Sequence, residues 1–111
     1  MSEHYILDGK TPVPVDLITW AKWLNTGNRI VKKDTATVKL RGQPVGEVRV
    51  STVFLGLDHS FGEGPPLLFE TMVFGGVLDG EQDRCSTWDA AEKMHDLMCE
   101  RVKNATNEVD A

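Results

Sequence analysis

Two acids, a histidine, a serine and a phenylalanine fall within the nine residues Asp58-His59-Ser60-Phe61-Gly62-Glu63-Gly64-Pro65-Pro66. Such residues do acid–base and binding work: imidazole titrates near neutrality, carboxylates accept hydrogen bonds, and glycine lets a backbone come close to a ligand. A connection near nine residues exceeds the hairpin norm, and loops held by a rigid sheet often carry function. Asp58, His59 and Ser60 include the types of a hydrolytic triad, but consecutive residues of an extended chain point to opposite sides and cannot pass a proton in line. A local arrangement with His59 as general base, oriented by Asp58 or Glu63, stays open. Gly62-Glu63-Gly64 is followed by neither Gly-Lys-Ser/Thr nor a helix N-terminus, so it is no phosphate loop. The competing explanation is a surface connection whose Gly and Pro serve turn geometry alone.

Glu70 shares an alternating strand face with Leu68, Met72 and Phe74, which sets a carboxylate on an apolar surface. A cationic or hydrogen-bonding partner makes it structural, the favoured reading; in a cleft beside His59 or Asp58 its pKa would rise, and it would serve as acid, base or ligand anchor. Further on, His95 and Cys99 stand one helical turn apart and put two soft metal ligands on one face. Completing a zinc set would require Cys85 and His59 without any Cys-x-x-Cys knuckle, so neither metal nor other cofactor is expected. His95 is instead predicted at the flank of the helix, its ring packed and one nitrogen in water. The two cysteines, Cys85 and Cys99, are too few for a disulfide scaffold and read as free thiols of a reducing compartment.

The elements that must position these groups follow from local pattern. Asp8-Gly9 between Tyr5-Ile6-Leu7 and Thr11 to Val15 signals a hairpin, and Pro12 and Pro14 make its second strand an edge. Asp16 predicts a helix cap, and Gly27 a left-handed residue past the helix end. Between them Leu17, Trp20, Ala21 and Leu24 form the packing face, with Trp23 off to the side. Residues 28–40 are β-branched and charged and predict one or two strands, reversing at Arg41-Gly42 or Pro44. Residues 47–57 shift from alternating to continuously apolar, and Leu67 to Phe74 is equally strong; these two strands are expected at the heart of the sheet. Residues 77–85 read as a loop. Finally, Ser86 or Thr87 caps a helix whose stripe is Trp88, Ala91, Met94, Met98, Val102 and Ala105, with fraying from Thr106.

The expected fold is therefore α+β: a small antiparallel sheet of about four to five strands, packed by a short N-terminal helix and a longer C-terminal amphipathic helix. The chain has 111 residues and a net charge of −5, with 41% hydrophobic and 26% charged residues; this suits one domain spanning 1–111 rather than a disordered chain. Its basic residues are scattered, which argues against general nucleic-acid binding. No apolar run approaches a membrane span, and the N-terminal residues lack the pattern of a signal peptide, so a soluble, cytoplasmic protein is expected.

The segment from Val50 to Gly76, with the opening Tyr5 to Val15, the Trp20-Ala-Lys-Trp23 helix and the closing Ser86 to Ala91 with His95, resembles a family of small accessory proteins of tailed phages and prophages. The resemblance implies synthesis in a bacterial host cytosol and carries no catalytic assignment. Small accessory proteins of this kind act mostly by binding. The leading expectation is thus a non-enzymatic module of the sort that serves counter-defence or host takeover. It would engage a host or phage protein, or sequester a small-molecule ligand, through the 58–66 loop. Phe61 would be the apolar anchor, Asp58, His59, Ser60 and Glu63 the orienting groups, Gly62 and Gly64 the close backbone, and Glu70 the support from below. One alternative is a small hydrolase or phosphoesterase using His59, Asp58 and Glu70, with or without a divalent metal. A second is a virion or assembly component that works as a homo-oligomer through edge strands such as Val13 to Val15.

Overall fold

The computed structural model describes residues 3–60 and 62–110, with 106–110 as helix backbone only. Strands β1 (Tyr5–Asp8) and β2 (Thr11–Pro14) form a hairpin. Helix α1 (Leu17–Thr26) follows, then β3 (Ile30–Leu40), β4 (Gln43–Phe54), β5 (Phe69–Phe74), β6 (Gln82–Cys85) and helix α2 (Trp88–Asp110). The last four strands make an antiparallel meander in the order β3-β4-β5-β6. The α+β class is as the sequence predicts, with the strands divided between a two-stranded and a four-stranded sheet. Residues 82–85, expected in a loop, form the edge strand β6. Their polar sequence has no apolar alternation to announce a strand; pairing of Glu70 with Arg84 and Met72 with Gln82 supplies the order instead.

The strong apolar runs do lie at the centre, in β4 and β5. Alternation gives the sheet two unequal faces. Val48, Val50, Thr52 and Phe54 of β4 and Phe69, Thr71 and Val73 of β5 are all buried. They face α2, which contributes Ala91, Met94, Met98 and Val102 from the predicted stripe. Thr87 caps that helix through its hydroxyl oxygen, which accepts from the Ala90 amide at 3.1 Å. The helix continues to Asp110, across most of the segment expected to fray.

Two details of the N-terminal region differ from expectation. Asp16 caps α1 as predicted, accepting from the Thr19 amide at 2.7 Å. Gly27, however, has φ −77° rather than a left-handed backbone; glycine is required there because a Cβ would run into the Trp23 ring. Trp23 itself turns inward and meets Phe54 edge-on at 5.6 Å, whereas Leu17 is 58% exposed. The packing face of α1 is therefore rotated toward Trp20, Trp23 and Leu24.

The β1–β2 hairpin docks on the start of the 58–66 loop. The Tyr5 amide donates to Gly56 O at 2.9 Å, and the Asp58 amide to Glu3 O at 3.1 Å. Because the Val15 amide points inward to His4 O at 2.9 Å, alternation turns positions 12 and 14 outward, where proline offers no donor. The free edge of β2 is thus blunted against strand addition.

The β3–β4 hairpin is much longer than β5: 11 and 12 residues against six. Its outer half extends past the rest of the sheet to a turn at Arg41 and Gly42, both at positive φ. The molecule is accordingly elongated, with a radius of gyration of 16.3 Å, against roughly 13 Å for a compact chain of this length. This overhang, with α2 lying beside it, shapes the site.

Candidate functional site

A groove of about 610 Å³ runs between the inner face of the β3–β4 hairpin and the outer flank of α2. Helix α2 packs against β3, β4, β5 and β6, and the groove opens where β3 and β4 run alongside its Asp96, Cys99, Val102 and Lys103. Ala36, Val38, Val48, Val50 and Val102 give it an apolar lining, and Asp34, Cys99 and Lys103 stand at its polar positions. At one end Lys32 Nζ donates to Asp96 Oδ1 at 2.7 Å and ties α2 to β3. The hydrogen bond with Asp96 raises the Lys32 pKa, and the same bond lowers that of Asp96. Both side chains are well exposed, so this pair fixes geometry more than stability.

Beneath the groove lies a chain of polar side chains in an otherwise apolar core. Thr52 and Thr71 are direct partners across β4 and β5, and their hydroxyls are 2.5 Å apart. Thr52 Oγ1 also lies 2.7 Å from His95 Nδ1, and His95 Nε2 lies 2.7 Å from Asp34 Oδ2. All three of Thr52, Thr71 and His95 are fully buried, while the Asp34 side chain is 57% exposed at the groove. In the neutral ring, the carboxylate only accepts, so Nε2 carries the hydrogen and Nδ1 accepts from Thr52. The chain then runs Thr71 to Thr52 to His95 to Asp34, with every donor along it used. Cys99 Sγ lies 3.9 Å from Asp34 Oδ2, and burial pushes its thiol pKa up, with Asp34 and Asp96 adding to the effect.

The order carboxylate, imidazole, hydroxyl is that of a hydrolytic triad, but exposure along it is reversed. The hydroxyl that would attack is sealed in the core and the carboxylate that would orient it faces solvent. Both ring nitrogens are engaged, so neither faces a substrate. The raised Cys99 pKa likewise leaves a thiol rather than an activated thiolate. This arrangement anchors and orients; it does not prepare a nucleophile.

The residues singled out in the sequence are placed differently. Asp58 is a structural clasp whose Oδ1 accepts from the amides of Ser60 at 2.8 Å and Leu67 at 3.0 Å. These bonds, led by that to Ser60, lower its pKa. The His59 amide donates to Leu67 O at 3.0 Å, closing the base of the loop. Gly62, Glu63 and Gly64 are exposed, and Phe61, the expected anchor, lies outside the described residues. Glu70 does have the cationic partner favoured from sequence: its Oε2 accepts from Arg84 Nε at 2.8 Å on the sheet face away from α2. Its described contacts run to β6 and not to the loop, so His59, Asp58 and Glu70 are not seen to converge.

His95 is the clearest departure, being fully buried with both nitrogens bonded instead of holding one in water. The site residues that sequence reasoning passed over are Asp34, Thr52 and Thr71. The available signals were an acid within a β-branched strand and two threonines at core-facing positions of the strongest strands. No protein-family model, curated protein or solved structure matches the chain. No helix among the described residues is long and apolar enough to cross a membrane.

Proposed function

We propose that this protein is a non-enzymatic binding module of the phage accessory kind, and that it takes a small ligand in the groove between β3 and α2 instead of on the 58–66 loop. The observation that carries this reading is the meeting of a concave apolar groove with the exposed end of a fully bonded buried relay. A volume of about 610 Å³ lies within the usual range for small-molecule sites, which pair an apolar lining with a few fixed polar groups. The ligand that fits has an apolar body to lie against Val38, Val48, Val50 and Val102, and a head that donates hydrogen bonds to Asp34. Its mechanism is occupancy. The relay holds Asp34 in one orientation before the ligand arrives, which lowers the ordering cost of binding.

The reversed exposure of the relay favours this over the hydrolase alternative. The proline-blunted edge of β2 counts against assembly through Val13 to Val15. The test is incubation of the full chain with a small-molecule extract of the expressing cell, followed by mass analysis of what is retained and then released by denaturation. A compound recovered unchanged and in stoichiometric amount supports sequestration; a compound consumed in many-fold excess over protein establishes turnover and overturns it.

A further inference from the structure

His95 and Cys99 sit one turn apart on α2, His95 buried beneath the groove and Cys99 on its lining, and β3 brings Asp34 against both. Their ligand-capable atoms all lie within 4.8 Å of one another. We infer that Asp34 Oδ2, His95 Nε2 and Cys99 Sγ form a site for a zinc-class divalent cation, with a fourth coordination position open to the groove. This goes beyond the ligand-binding reading and does not require it.

The donor set suits such an ion. Imidazole nitrogen, thiolate sulfur and carboxylate oxygen are the three common protein ligands of zinc, and three of them with one open position is the arrangement of a reactive rather than a purely structural centre. Carboxylate and thiolate together carry two negative charges, which match a dication. Tetrahedral zinc asks for about 3.3 Å between nitrogen and oxygen donors and about 3.6 Å between oxygen and sulfur. The corresponding separations are 2.7 Å and 3.9 Å. The adjustment falls on Asp34, whose side chain is 57% exposed and is released from its bond to His95 Nε2 when the cation takes that nitrogen.

The buried hydroxyls supply what a ligating histidine needs behind it. A metal-bound imidazole donates its other N–H to an outer partner that fixes the ring. When the cation takes Nε2, the ring proton moves to Nδ1 and donates to Thr52 Oγ1, while the Thr52 hydroxyl turns toward Thr71. A hydroxyl both donates and accepts, so Thr52 can serve either tautomer, with the Thr71 hydrogen turning away from Thr52 in the metal-bound form. The cation–sulfur bond forms as the Cys99 proton leaves to solvent, and no oxidant or reductant is involved. The Lys32 ammonium, which also lines the groove, is already bonded to Asp96.

Titration of the metal-free full chain with cobalt, followed by competition with zinc, tests the site. One equivalent is expected to bind with a thiolate-to-cobalt charge-transfer absorption that zinc abolishes. Cys99→Ser is expected to remove that band and Cys85→Ser to leave it. Asp34→Asn, which keeps a side-chain oxygen to accept from His95 Nε2 and removes the anionic ligand, is expected to weaken binding at least tenfold. Absence of the band, its survival in Cys99→Ser, or unchanged affinity in Asp34→Asn would overturn the inference. The groove-filling Ala36→Trp separates it from the proposed function: an organic ligand lost with cobalt binding intact leaves both standing. Cobalt binding with no organic ligand ever retained sinks only the earlier reading, and a retained ligand without cobalt binding sinks only this one.

Discussion

The 58–66 loop and the β3–α2 groove are opposites in how they are built. The loop packs two acids, a histidine and a serine into nine consecutive residues, and its described polar contacts are largely spent on its own backbone. The groove draws Asp34, Thr52, Thr71, His95 and Cys99 from four elements, and leaves the end of the resulting network facing an open concavity. Local density of polar residues therefore marks the segment that had to be held in shape. Convergence of dispersed residues marks the segment with something left to offer a ligand. Side chains drawn from rigid strands and a helix are also better fixed than those on a loop, which is what preorganised binding requires.

The sharpest way to break this comparison is to cut the relay. His95→Ala removes a fully buried ring and strands the Thr52 hydroxyl, and is expected to cost about 3–5 kcal/mol in denaturant unfolding, by cavity formation together with a lost buried hydrogen bond. A cost below about 1 kcal/mol would mean the relay is not held as described. Thr52→Val keeps the shape and removes only the hydroxyl between Thr71 and His95. It is expected to cost about 1–3 kcal/mol, and the double change Thr52→Val with Thr71→Val less than the sum of the two singles, because one hydroxyl serves both bonds.

A smaller effect is expected on the opposite face. The Glu70–Arg84 pair is partly buried, with side-chain exposures of 15% and 29%, so Arg84→Met is expected to cost about 1 kcal/mol and to leave groove binding unchanged. The smallest expected effect is at the loop. The folded-state pKa of Asp58 lies below its unfolded value, because the Ser60 and Leu67 amides bond the charged form. Its contribution to stability is thus present above the unfolded carboxylate pKa and is lost as pH falls through the lower folded value. Asp58→Asn should therefore differ from the parent at neutral pH and converge on it in acid. Hydrogen exchange at the Ser60 and Leu67 amides reads this directly, faster in the variant only when the parent carboxylate is ionised.

Much of the fold was legible because its signals are local. The apolar runs within 47–57 and 67–74 announced the central strands, the stripe from Ala91 to Val102 announced the face of α2, and Asp16 announced the cap of α1. What local pattern could not carry was partnership. Residues 82–85 became a strand only through pairing with β5. Gly27 is needed for the approach of the Trp23 ring, which no turn rule expresses. His95 stood one turn from Cys99 in plain view, but the carboxylate that completes its environment lies 61 residues away in sequence, inside a strand whose charges read as solvated. Glu70 succeeded because a carboxylate on an apolar face calls for a cation whatever the topology, and Arg84 was the one the register supplied.

The proposed function places binding in the groove and not on the loop. Native mass spectrometry of the full chain drawn gently from expressing cells, with Ala36→Trp and His59→Ala prepared in parallel, tests it most directly. Ala36 lines the groove and is exposed, so the tryptophan fills the site without entering the core. A discrete organic added mass, distinct from that of any metal ion, is expected on the parent and on His59→Ala and absent from Ala36→Trp. An added mass that persists in Ala36→Trp and disappears from His59→Ala would contradict it and return the binding site to the loop.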